Sequence, residues 1–230
     1  MSVRRVRVAG VTTGPHPTHT DARFVVFEGG EGAGKSTQCR RLADALRALG
    51  HEVVLTREPG GTRLGTEIRR LLLDVDSTGL DPRAEALLYA ADRAQHVAEI
   101  VRPALDRGAV VISDRYIDSS LAYQGAGRDL DAEQVAALSR WATGGLVPEL
   151  TVVLDIDPAV GLLRAGEVDD PDRLESEPLR FHRSVRQSFL DLAAADPARY
   201  LVIDAAQPAG DIAALVELAA SAVVGAAVHR

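Results

Sequence analysis

The residue with the clearest chemical role in this sequence is its only lysine, Lys35. It belongs to a G-x-x-x-x-G-K-[ST] pattern formed by Gly29, Gly30, Glu31, Gly32, Ala33, Gly34, Lys35 and Ser36. The glycines of such a P-loop let successive backbone N–H groups turn toward phosphate oxygens. The lysine brings a compact positive charge to the β- and γ-phosphates, and Ser36 offers a hydroxyl to Mg²⁺. All other strongly basic residues are arginines, which is consistent with a need for an ammonium at this position.

The sequence around the P-loop supports this interpretation. Residues 24–27 form a short apolar run of β-formers, which predicts a buried strand. After the loop, apolar residues recur at helical spacing, and this stripe includes the only cysteine, Cys39. Strand, glycine loop and helix therefore follow in order, and the helix N-terminus adds its own attraction for anions. We interpret Cys39 as a core residue rather than a nucleophile.

Composition limits the possible classes of protein. A chain of 230 residues with 46% hydrophobic residues is typical of one folded α/β domain, although two small domains are possible. The chain has no apolar run of about 18 residues, so we expect no membrane span. A net charge of −7 disfavours a broad nucleic-acid surface. A single cysteine allows no disulfide within the chain, which favours a reducing compartment and predicts a cytoplasmic protein.

The complete absence of asparagine excludes two classes of nucleotide-binding protein. A GTPase normally carries an Asn-Lys-x-Asp motif, and a protein kinase needs an asparagine in its catalytic loop. Neither motif can be written with this sequence.

Residues 1–23 differ from the rest of the chain. They are basic and nearly free of acidic residues, and they contain no apolar stretch of the kind found in a secretory signal. We predict a disordered extension, with an organellar transit peptide as the alternative. The folded domain is predicted to span residues 24–230.

Helical and strand patterns alternate through this domain, which predicts a parallel sheet flanked by helices. Strands are predicted at 24–27, 52–56, 109–113, 151–155 and 201–204. Helices are predicted at 64–73, 82–107 with an interruption near Pro103, 131–141 with Asp131 as N-cap, and near the C-terminus.

The carboxyl ends of parallel strands are where open α/β sheets bind ligands. The second predicted strand runs into Arg57, and the third runs into Asp114 and Arg115. Asp114 follows four apolar residues, as in a Walker-B strand, and would hold Mg²⁺ or its water; the alternative is a helix N-cap. The alternative for both arginines is a surface ion pair.

Tyr89 and Arg93 form a second candidate group on the long predicted helix. They are four residues apart and therefore share one face. An aromatic ring beside a guanidinium suits stacking on a base and binding of a phosphate, although packing in the core is an equal alternative.

Together, five segments resemble the bacterial type of the thymidylate kinase family. They are EGGEGAGKST at 28–37, TREPGGT at 56–62, DRY at 114–116, AYQG at 122–125 and LDIDP at 154–158. The resemblance covers about residues 24–204. It implies a P-loop NTPase with a three-layer α/β/α architecture, a five-stranded parallel sheet and a short mobile lid. It also implies a homodimer that uses ATP and Mg²⁺ to phosphorylate dTMP to dTDP.

The resemblance also implies roles for individual residues. The loop from Gly29 to Thr37 would bind the ATP phosphates, with Ser36 and Asp114 toward Mg²⁺. Glu31 would approach the sugar 3′-hydroxyl of dTMP. The acceptor phosphate would be surrounded by Arg57, Arg93 and Arg115. The thymine would stack on Tyr89, where the family usually has phenylalanine. The base and sugar pocket would be lined by Ser119, Tyr123 and Gln124, with Arg128 at its rim.

Phosphoryl transfer between two anions is mainly a problem of alignment and of charge repulsion. We expect direct attack by a dTMP phosphate oxygen, with Lys35, Asp114, Arg115 and Arg173 as the catalytic group. The lid at about 164–176 departs from the family because it holds only Arg164 and Arg173, and the P-loop adds no arginine since Gly32 occupies that place. We expect Arg173 to carry most of the lid's work, with Arg164 as a weaker candidate.

Two other functions are left open by the sequence. The chain could be a kinase for another deoxynucleotide or nucleoside, or an ATP-binding switch with a decayed active site, which the arginine-poor lid favours.

Overall fold

A computed structural model describes residues 23–77, 79–128, 130–167 and 170–224. The extension predicted at residues 1–23 lies outside the described residues except for its last residue. The same holds for the C-terminal part of the predicted domain, residues 225–230.

A five-stranded, fully parallel sheet forms the centre of the described fold. Its strands are β1 (Arg23–Gly29), β2 (Val53–Arg57), β3 (Val110–Asp114), β4 (Leu150–Asp155) and β5 (Tyr200–Asp204). Their spatial order is β2-β3-β1-β4-β5. The three central strands are apolar and buried on both faces, as expected for strands covered by helices on each side.

Helices connect these strands. They are α1 (Lys35–Ala48), α2 (Arg63–Leu73), α3 (Pro82–His96), α4 (Arg102–Asp106), α5 (Ile117–Ser120), α6 (Ala132–Thr143), α7 (Pro158–Gly166), α8 (Leu179–Ala195) and α9 (Ala209–Val224). Wider π-helical turns span Val97–Val101 and Leu121–Gly127.

The long helix predicted at 82–107 is divided in the structure. The first π-helical turn lies directly before Pro103, between α3 and α4. Proline has no N–H, and its ring collides with the carbonyl four residues earlier, which here falls inside the π-helical turn. The predicted interruption near Pro103 is therefore confirmed, and its cause is the proline itself.

Apolar layers on both faces of the sheet confirm the three-layer α/β/α prediction. On one face, Val25 and Phe27 of β1 pack with Cys39 of α1 and Val216 of α9. The other face of β1, with Phe24, packs against the helices that follow β2 and β3. The interpretation of Cys39 as a core residue is confirmed.

The sheet places the carboxyl ends of β1, β2 and β3 side by side, with Phe27 and Arg57 both paired to Asp114 in register. The P-loop, the turn after Arg57 and the turn after Asp114 therefore open at one edge. Along the described residues, no helix is long and apolar enough to cross a membrane.

Candidate active site

Lys35 is the first residue of α1, and its side chain is buried under the P-loop. Its Nζ donates hydrogen bonds to the carbonyl oxygens of Gly30 at 2.7 Å and Gly29 at 3.1 Å. Gly34 caps the helix in a left-handed conformation, with φ of 87°, which favours glycine. Burial lowers the pKa of Lys35, as does Arg115, whereas the nearby Glu31 raises it. The loop thus holds a single cation at the helix N-terminus, where backbone N–H groups attract anions.

Ser36 and Asp114 supply the oxygen atoms that a magnesium ion would need beside this loop. The Ser36 hydroxyl donates to Asp114 Oδ2 at 2.5 Å, so residues from α1 and β3 meet at one point. Among the described residues there is no group of three or more His, Cys, Asp or Glu that could hold a metal. Mg²⁺ at a nucleotide site is held by one or two carboxylates together with phosphate oxygens and water, so the pair fits it.

An open cavity above the loop, the P-loop cavity, gathers most of the residues predicted to contact ATP and the acceptor phosphate; Gly29, Gly30, Ala33 and Arg93 are not among its lining residues. Its lining includes Gly32, Gly34, Lys35, Ser36, Thr37, Arg57, Asp114 and Arg115. Arg57 forms no ion pair within the described residues and is exposed here. The cavity therefore presents several cations to a space large enough for a polyphosphate.

A second cavity, the tyrosine cavity, adjoins the first and is named for Tyr89, Tyr116 and Tyr123 in its wall. It is lined by both polar and apolar side chains, as is usual for a small-ligand site. The structure brings together here the residues predicted to bind the base and sugar, namely Tyr89, Arg93, Ser119, Tyr123 and Gln124. Burial raises the pKa of Tyr89, so its phenol stays protonated.

The two cavities share four lining residues, Glu31, Glu58, Arg69 and Arg115. A ligand in one cavity and a ligand in the other would therefore meet at this boundary. Two of the four residues are arginines, and the other two are glutamates that are already paired, Glu31 with Arg115 and Glu58 with Arg93. The boundary therefore offers guanidinium groups to an anion beside carboxylates whose charge is already compensated.

Arg115 lies at the centre of the boundary and has an unusual backbone. Its φ is 73°, a left-handed conformation that costs about 1–2 kcal/mol for a residue with a side chain. The guanidinium donates to Gly29 O and Ser119 Oγ, each at 3.1 Å, and pairs with Glu31 at 2.8 Å. It also lies 5.0 Å from the centre of the Tyr123 ring. These contacts fix its position before any ligand arrives.

Glu31 accepts hydrogen bonds from both Arg115 and the Tyr123 hydroxyl, the latter at 2.6 Å. Burial acts to raise the pKa of Glu31, but the charges of Arg115 and Lys35 outweigh it and hold the pKa at about 2. The carboxylate is therefore ionised and available as a hydrogen-bond acceptor at the cavity boundary.

Glu28 is a fully buried carboxyl that sequence reasoning did not single out. It accepts hydrogen bonds from the Ser119 hydroxyl at 2.6 Å and from the backbone N–H groups of Tyr116 at 2.8 Å and Ser119 at 3.2 Å. Burial, together with the nearby Asp118, raises its pKa to about 7. Glu28 thus orients Ser119 from behind the cavity wall, and no local sequence pattern reveals this contact.

Arg93 lies in the wall of the tyrosine cavity, but its guanidinium is already bonded to the protein. Nε donates to Glu58 at 2.7 Å, Nη2 to the Tyr116 carbonyl at 2.8 Å and Nη1 to Ser120 at 3.0 Å. The second oxygen of Glu58 contacts His96 at 2.7 Å. The predicted role of Arg93 at the acceptor phosphate stays a prediction, and its visible role is to tie α3 to the turn after β2.

Arg69 is a candidate site residue that sequence reasoning missed. It lines both cavities, and its Nη1 donates to the Pro59 carbonyl at 3.1 Å. Burial lowers the pKa of Arg69, and the positive charges of Arg57 and Arg115 lower it further. Three arginines, one from α2 and two from strand ends, therefore lie close together. A bound anion would reduce the electrostatic repulsion between them. The one sequence signal for Arg69 is its position on α2 next to Ile68 and three residues before Leu72, both of which are buried.

The segment predicted to be a lid, about residues 164–176, lies beside both cavities. Of the predicted lid, residues 168 and 169 lie outside the described residues. Asp172 and Leu174 line the tyrosine cavity, and Glu175 lines the P-loop cavity.

Neither predicted lid arginine is among the residues that line the P-loop cavity. Arg173 Nε donates to the Leu72 carbonyl and its Nη2 pairs with Glu85, both at 2.7 Å. Arg164 donates to the Ala205 carbonyl at 3.0 Å. Their roles at the transferring phosphoryl group stay predictions.

Gly32 of the P-loop contacts α7 backbone to backbone. A Cβ placed on Gly32 would overlap the carbonyl oxygen of Gly161, and a Cβ on Gly161 would overlap the carbonyl oxygen of Glu31. Gly32 also has a φ of 64°. Both positions therefore require glycine because the two chain segments lie in direct contact.

Comparisons with known proteins identify close relatives of this chain. The family model described as thymidylate kinase matches residues 27–216. The thymidylate kinase of Clavibacter michiganensis subsp. michiganensis is 57% identical over 204 residues, covering 88% of this chain and 96% of that protein. The thymidylate kinase of Deinococcus radiodurans is 55% identical over 198 residues, covering 86% and 96%. The crystal structure of thymidylate kinase from Ehrlichia chaffeensis is similar with a TM-score of 0.69 at 34% identity, covering 88% and 98%.

Proposed function

This chain belongs to the thymidylate kinase family, and we propose that its P-loop cavity and tyrosine cavity together transfer the γ-phosphoryl group of ATP to dTMP. The family phosphorylates dTMP to dTDP with ATP as the donor. The observation that carries the residue assignment is the boundary between the cavities, which includes Arg69 and Arg115. A donor in one cavity and an acceptor in the other would meet between these guanidinium groups.

The donor phosphates bind along residues 29–37, most of which line the P-loop cavity, and the backbone N–H groups of such a loop and Lys35 attract them. The acceptor phosphate binds at Arg57, Arg69 and Arg115, whose mutual repulsion an anion would offset. Glu31 accepts a hydrogen bond from the acceptor's sugar.

The base enters the tyrosine cavity. Its ring stacks on Tyr89, and its polar edge faces Gln124, with Ser119 and Tyr123 completing the pocket. Because all four side chains are buried, they contact the base in a space that excludes most water.

The reaction is a direct displacement. An oxygen of the acceptor phosphate attacks the γ-phosphorus as the bond to the β-phosphate oxygen breaks, so no covalent enzyme intermediate forms. Lys35 and Arg115 stabilise the charge that develops on the transferring group. Both cations are held in place by protein carbonyls and carboxylates, so little reorganisation accompanies the reaction.

Magnesium is part of this proposal. Ser36 and Asp114 would hold the ion, directly or through water, and the ion would neutralise charge on the β- and γ-phosphates.

We infer that the enzyme is a homodimer. Helices α2, α3 and α6 pack side by side, α2 against α3 and α3 against α6. They expose large apolar side chains, with Leu64 at 49%, Leu87 at 58% and Trp141 at 81% accessibility. Such exposure supports burial against a second copy. Sedimentation equilibrium would test it, and a monomer at micromolar concentration would contradict it.

We place the enzyme in the cytoplasm. Its only cysteine, Cys39, is buried in the apolar core between α1 and the sheet, where a thiol acts as a small apolar group. This usage supports a reducing compartment.

A panel of acceptors with ATP and Mg²⁺ tests the proposed function. We expect ADP release that depends on dTMP, weaker release with dUMP, and much less with dCMP or thymidine. A stronger response to dCMP or thymidine would indicate a kinase of different specificity. Binding of ATP without acceptor-dependent ADP release would indicate an ATP-binding switch.

A further inference from the structure

Glu85 is a fully buried carboxylate on α3 that has no part in the proposed reaction. It contacts three side chains that come from different parts of the chain. Its Oε1 accepts from Gln124 Nε2 at 3.0 Å, its Oε2 pairs with Arg173 at 2.7 Å, and Arg128 lies 3.3 Å from both oxygens. One carboxylate therefore connects the base pocket, the turn after it and the lid segment.

The charge of Glu85 decides how the amide of Gln124 is oriented. Burial alone would raise the pKa of Glu85, but the hydrogen bonds from Gln124 and Arg128 and the nearby positive charges lower it. The group is therefore an ionised carboxylate that can only accept hydrogen bonds. The amide nitrogen of Gln124 must face Glu85, and the amide oxygen must face the other way.

Gln124 lines the tyrosine cavity, so an amide whose nitrogen is held by Glu85 is left with its oxygen to offer to a ligand there. Within the described residues, no donor bonds to Gln124 Oε1, and the residue's side-chain hydrogen bond is the one to Glu85. The cavity therefore offers a base one amide oxygen with a fixed orientation. Arg128 and Arg173 hold Glu85 from its remaining sides, and Arg128 is held in turn by Glu177 at 2.5 Å.

We propose that Glu85 is a positioning residue that sets the pyrimidine selectivity of the enzyme by locking the Gln124 amide in one orientation. The inference rests on the proposed function. Thymine and uracil present a ring N–H donor at N3, whereas cytosine presents a lone pair there. A locked amide oxygen accepts from the first two and repels the third, and a buried polar group without a partner is costly.

A carboxamide at position 85 would remove the lock. Because an amide can both donate and accept, Glu85→Gln allows the Gln124 amide to turn over and present its NH₂ to the cavity. The turned amide matches the N3 lone pair of cytosine. The variant should therefore lose selectivity for dTMP over dCMP, which differ at N3. It should keep its selectivity for dTMP over dUMP, which differ in the 5-methyl group that this amide is not proposed to contact.

The test is to measure kcat/KM of Glu85→Gln for dTMP, dUMP and dCMP with ATP and Mg²⁺. We expect the dTMP-to-dCMP ratio to fall by about tenfold or more, while the dTMP-to-dUMP ratio stays within about twofold. The matched control is Glu177→Gln, which also removes a carboxylate from Arg128 but does not contact Gln124. This control should keep both ratios. An equal loss for all three nucleotides, or an unchanged dTMP-to-dCMP ratio, would overturn the proposal.

Removal of the Glu85 charge leaves both Arg128 and Arg173 without this carboxylate, so a second variant guards against misfolding. The double variant Glu85→Gln/Arg128→Gln removes one charge of each sign, and Arg128→Gln alone is its reference. The dTMP-to-dCMP ratio of the double variant should be lower than that of Arg128→Gln by about the same factor. An equal ratio in the two proteins would contradict the role of Glu85 in orienting Gln124. If the wild-type protein does not phosphorylate dTMP, the proposed function fails; if it does and the ratio is unmoved, only the role of Glu85 fails.

Discussion

The P-loop cavity and the tyrosine cavity are built in different ways. The first is lined largely by one short stretch of chain, within residues 31–37, where Lys35 is the only cation, and it is completed by side chains from outside the loop such as Arg57, Arg69 and Arg115. The second is assembled from α2, α3, the turns after β2 and β3, the Leu121–Gly127 segment and residues 172–174. Backbone atoms bind phosphate wherever the loop has the right shape, whereas a pocket of side chains needs each member to be held by another.

Buried carboxylates hold the second cavity together. Arg93 pairs with Glu58, Arg115 with Glu31, and Arg173 with Glu85, each at 2.7–2.8 Å. Removal of one partner from a buried pair typically costs about 3–5 kcal/mol because the other charge is left uncompensated. We therefore expect substitutions in the P-loop cavity to affect turnover mainly, and substitutions around the tyrosine cavity to affect affinity, selectivity and stability as well.

The sharpest test of this contrast is Lys35→Ala. Loss of the loop's only cation should lower kcat by about 10³-fold or more, with little change in the unfolding temperature. Steady-state kinetics and thermal unfolding measure the two effects. Lys35→Arg is the informative companion, because it keeps the charge but changes its shape and reach. Near-normal turnover of the alanine variant would remove Lys35 from the mechanism, and full activity of the arginine variant would show that no ammonium is needed.

Arg115→Ala tests the boundary between the cavities. It removes a cation that we propose binds the acceptor phosphate, and it leaves Glu31 without its ion pair, so kcat/KM for dTMP should fall by about 10²-fold. The unfolding temperature should fall too, unlike that of Lys35→Ala. Arg107→Ala is the control, since that arginine forms an exposed pair with Glu52 far along the sheet. Equal effects of Arg115→Ala and Arg107→Ala would show that Arg115 has no special role at the boundary between the cavities.

Stability should depend on pH through Glu28. Burial raises the pKa of Glu28 from 4.5 to about 7, so the folded protein binds this proton more tightly than the unfolded chain. The free energy of unfolding should therefore fall as pH rises from about 4.5 through 7, by about 1–3 kcal/mol. Urea denaturation at several pH values measures this slope. Glu28→Gln should flatten it and the exposed Glu67→Gln should not; identical slopes in all three proteins would contradict the assignment.

Arg173→Ala has the smallest expected effect on turnover, and it tests whether Arg173 acts on the reaction or only stabilises the wall of the tyrosine cavity. If Arg173 reaches the transferring phosphoryl group during turnover, kcat should fall by about tenfold while KM for dTMP changes less. Its observed contacts, to Glu85 and the Leu72 carbonyl, also predict a lower unfolding temperature. Arg183→Ala, on α8, is the control. Unchanged turnover with reduced stability would restrict Arg173 to holding the lid segment in place.

The same contrast explains which features the sequence could predict. The P-loop, the strands and the Asp131 cap of α6 depend on neighbours within a few residues, and each was predicted near its observed position. The resemblance to a known family predicts that Ser119, Tyr123 and Gln124 line the base and sugar pocket. All three line the tyrosine cavity, and their contact with a nucleotide stays a prediction.

The carboxylates behind the site could not be found in this way. Glu58 contacts Arg93, which is 35 positions away, and Glu28 contacts Ser119, which is 91 positions away. Neither contact leaves a periodic pattern or a motif. Helical spacing puts Arg93 on one face with Tyr89 and leaves phosphate binding and core packing open, because spacing gives the face of a helix and not the partners that the fold brings to it. Arg69 was missed for the same reason.

The close contact between Gly32 and Gly161 has a consequence for where positive charge can come from. No side chain fits between the P-loop and α7. An arginine at position 32 would therefore overlap α7, so a further cation cannot be added to the loop at this position unless that helix moves. Positive charge beyond that of Lys35 therefore has to come from residues outside the loop, and in this cavity Arg57, Arg69 and Arg115 are in a position to supply it.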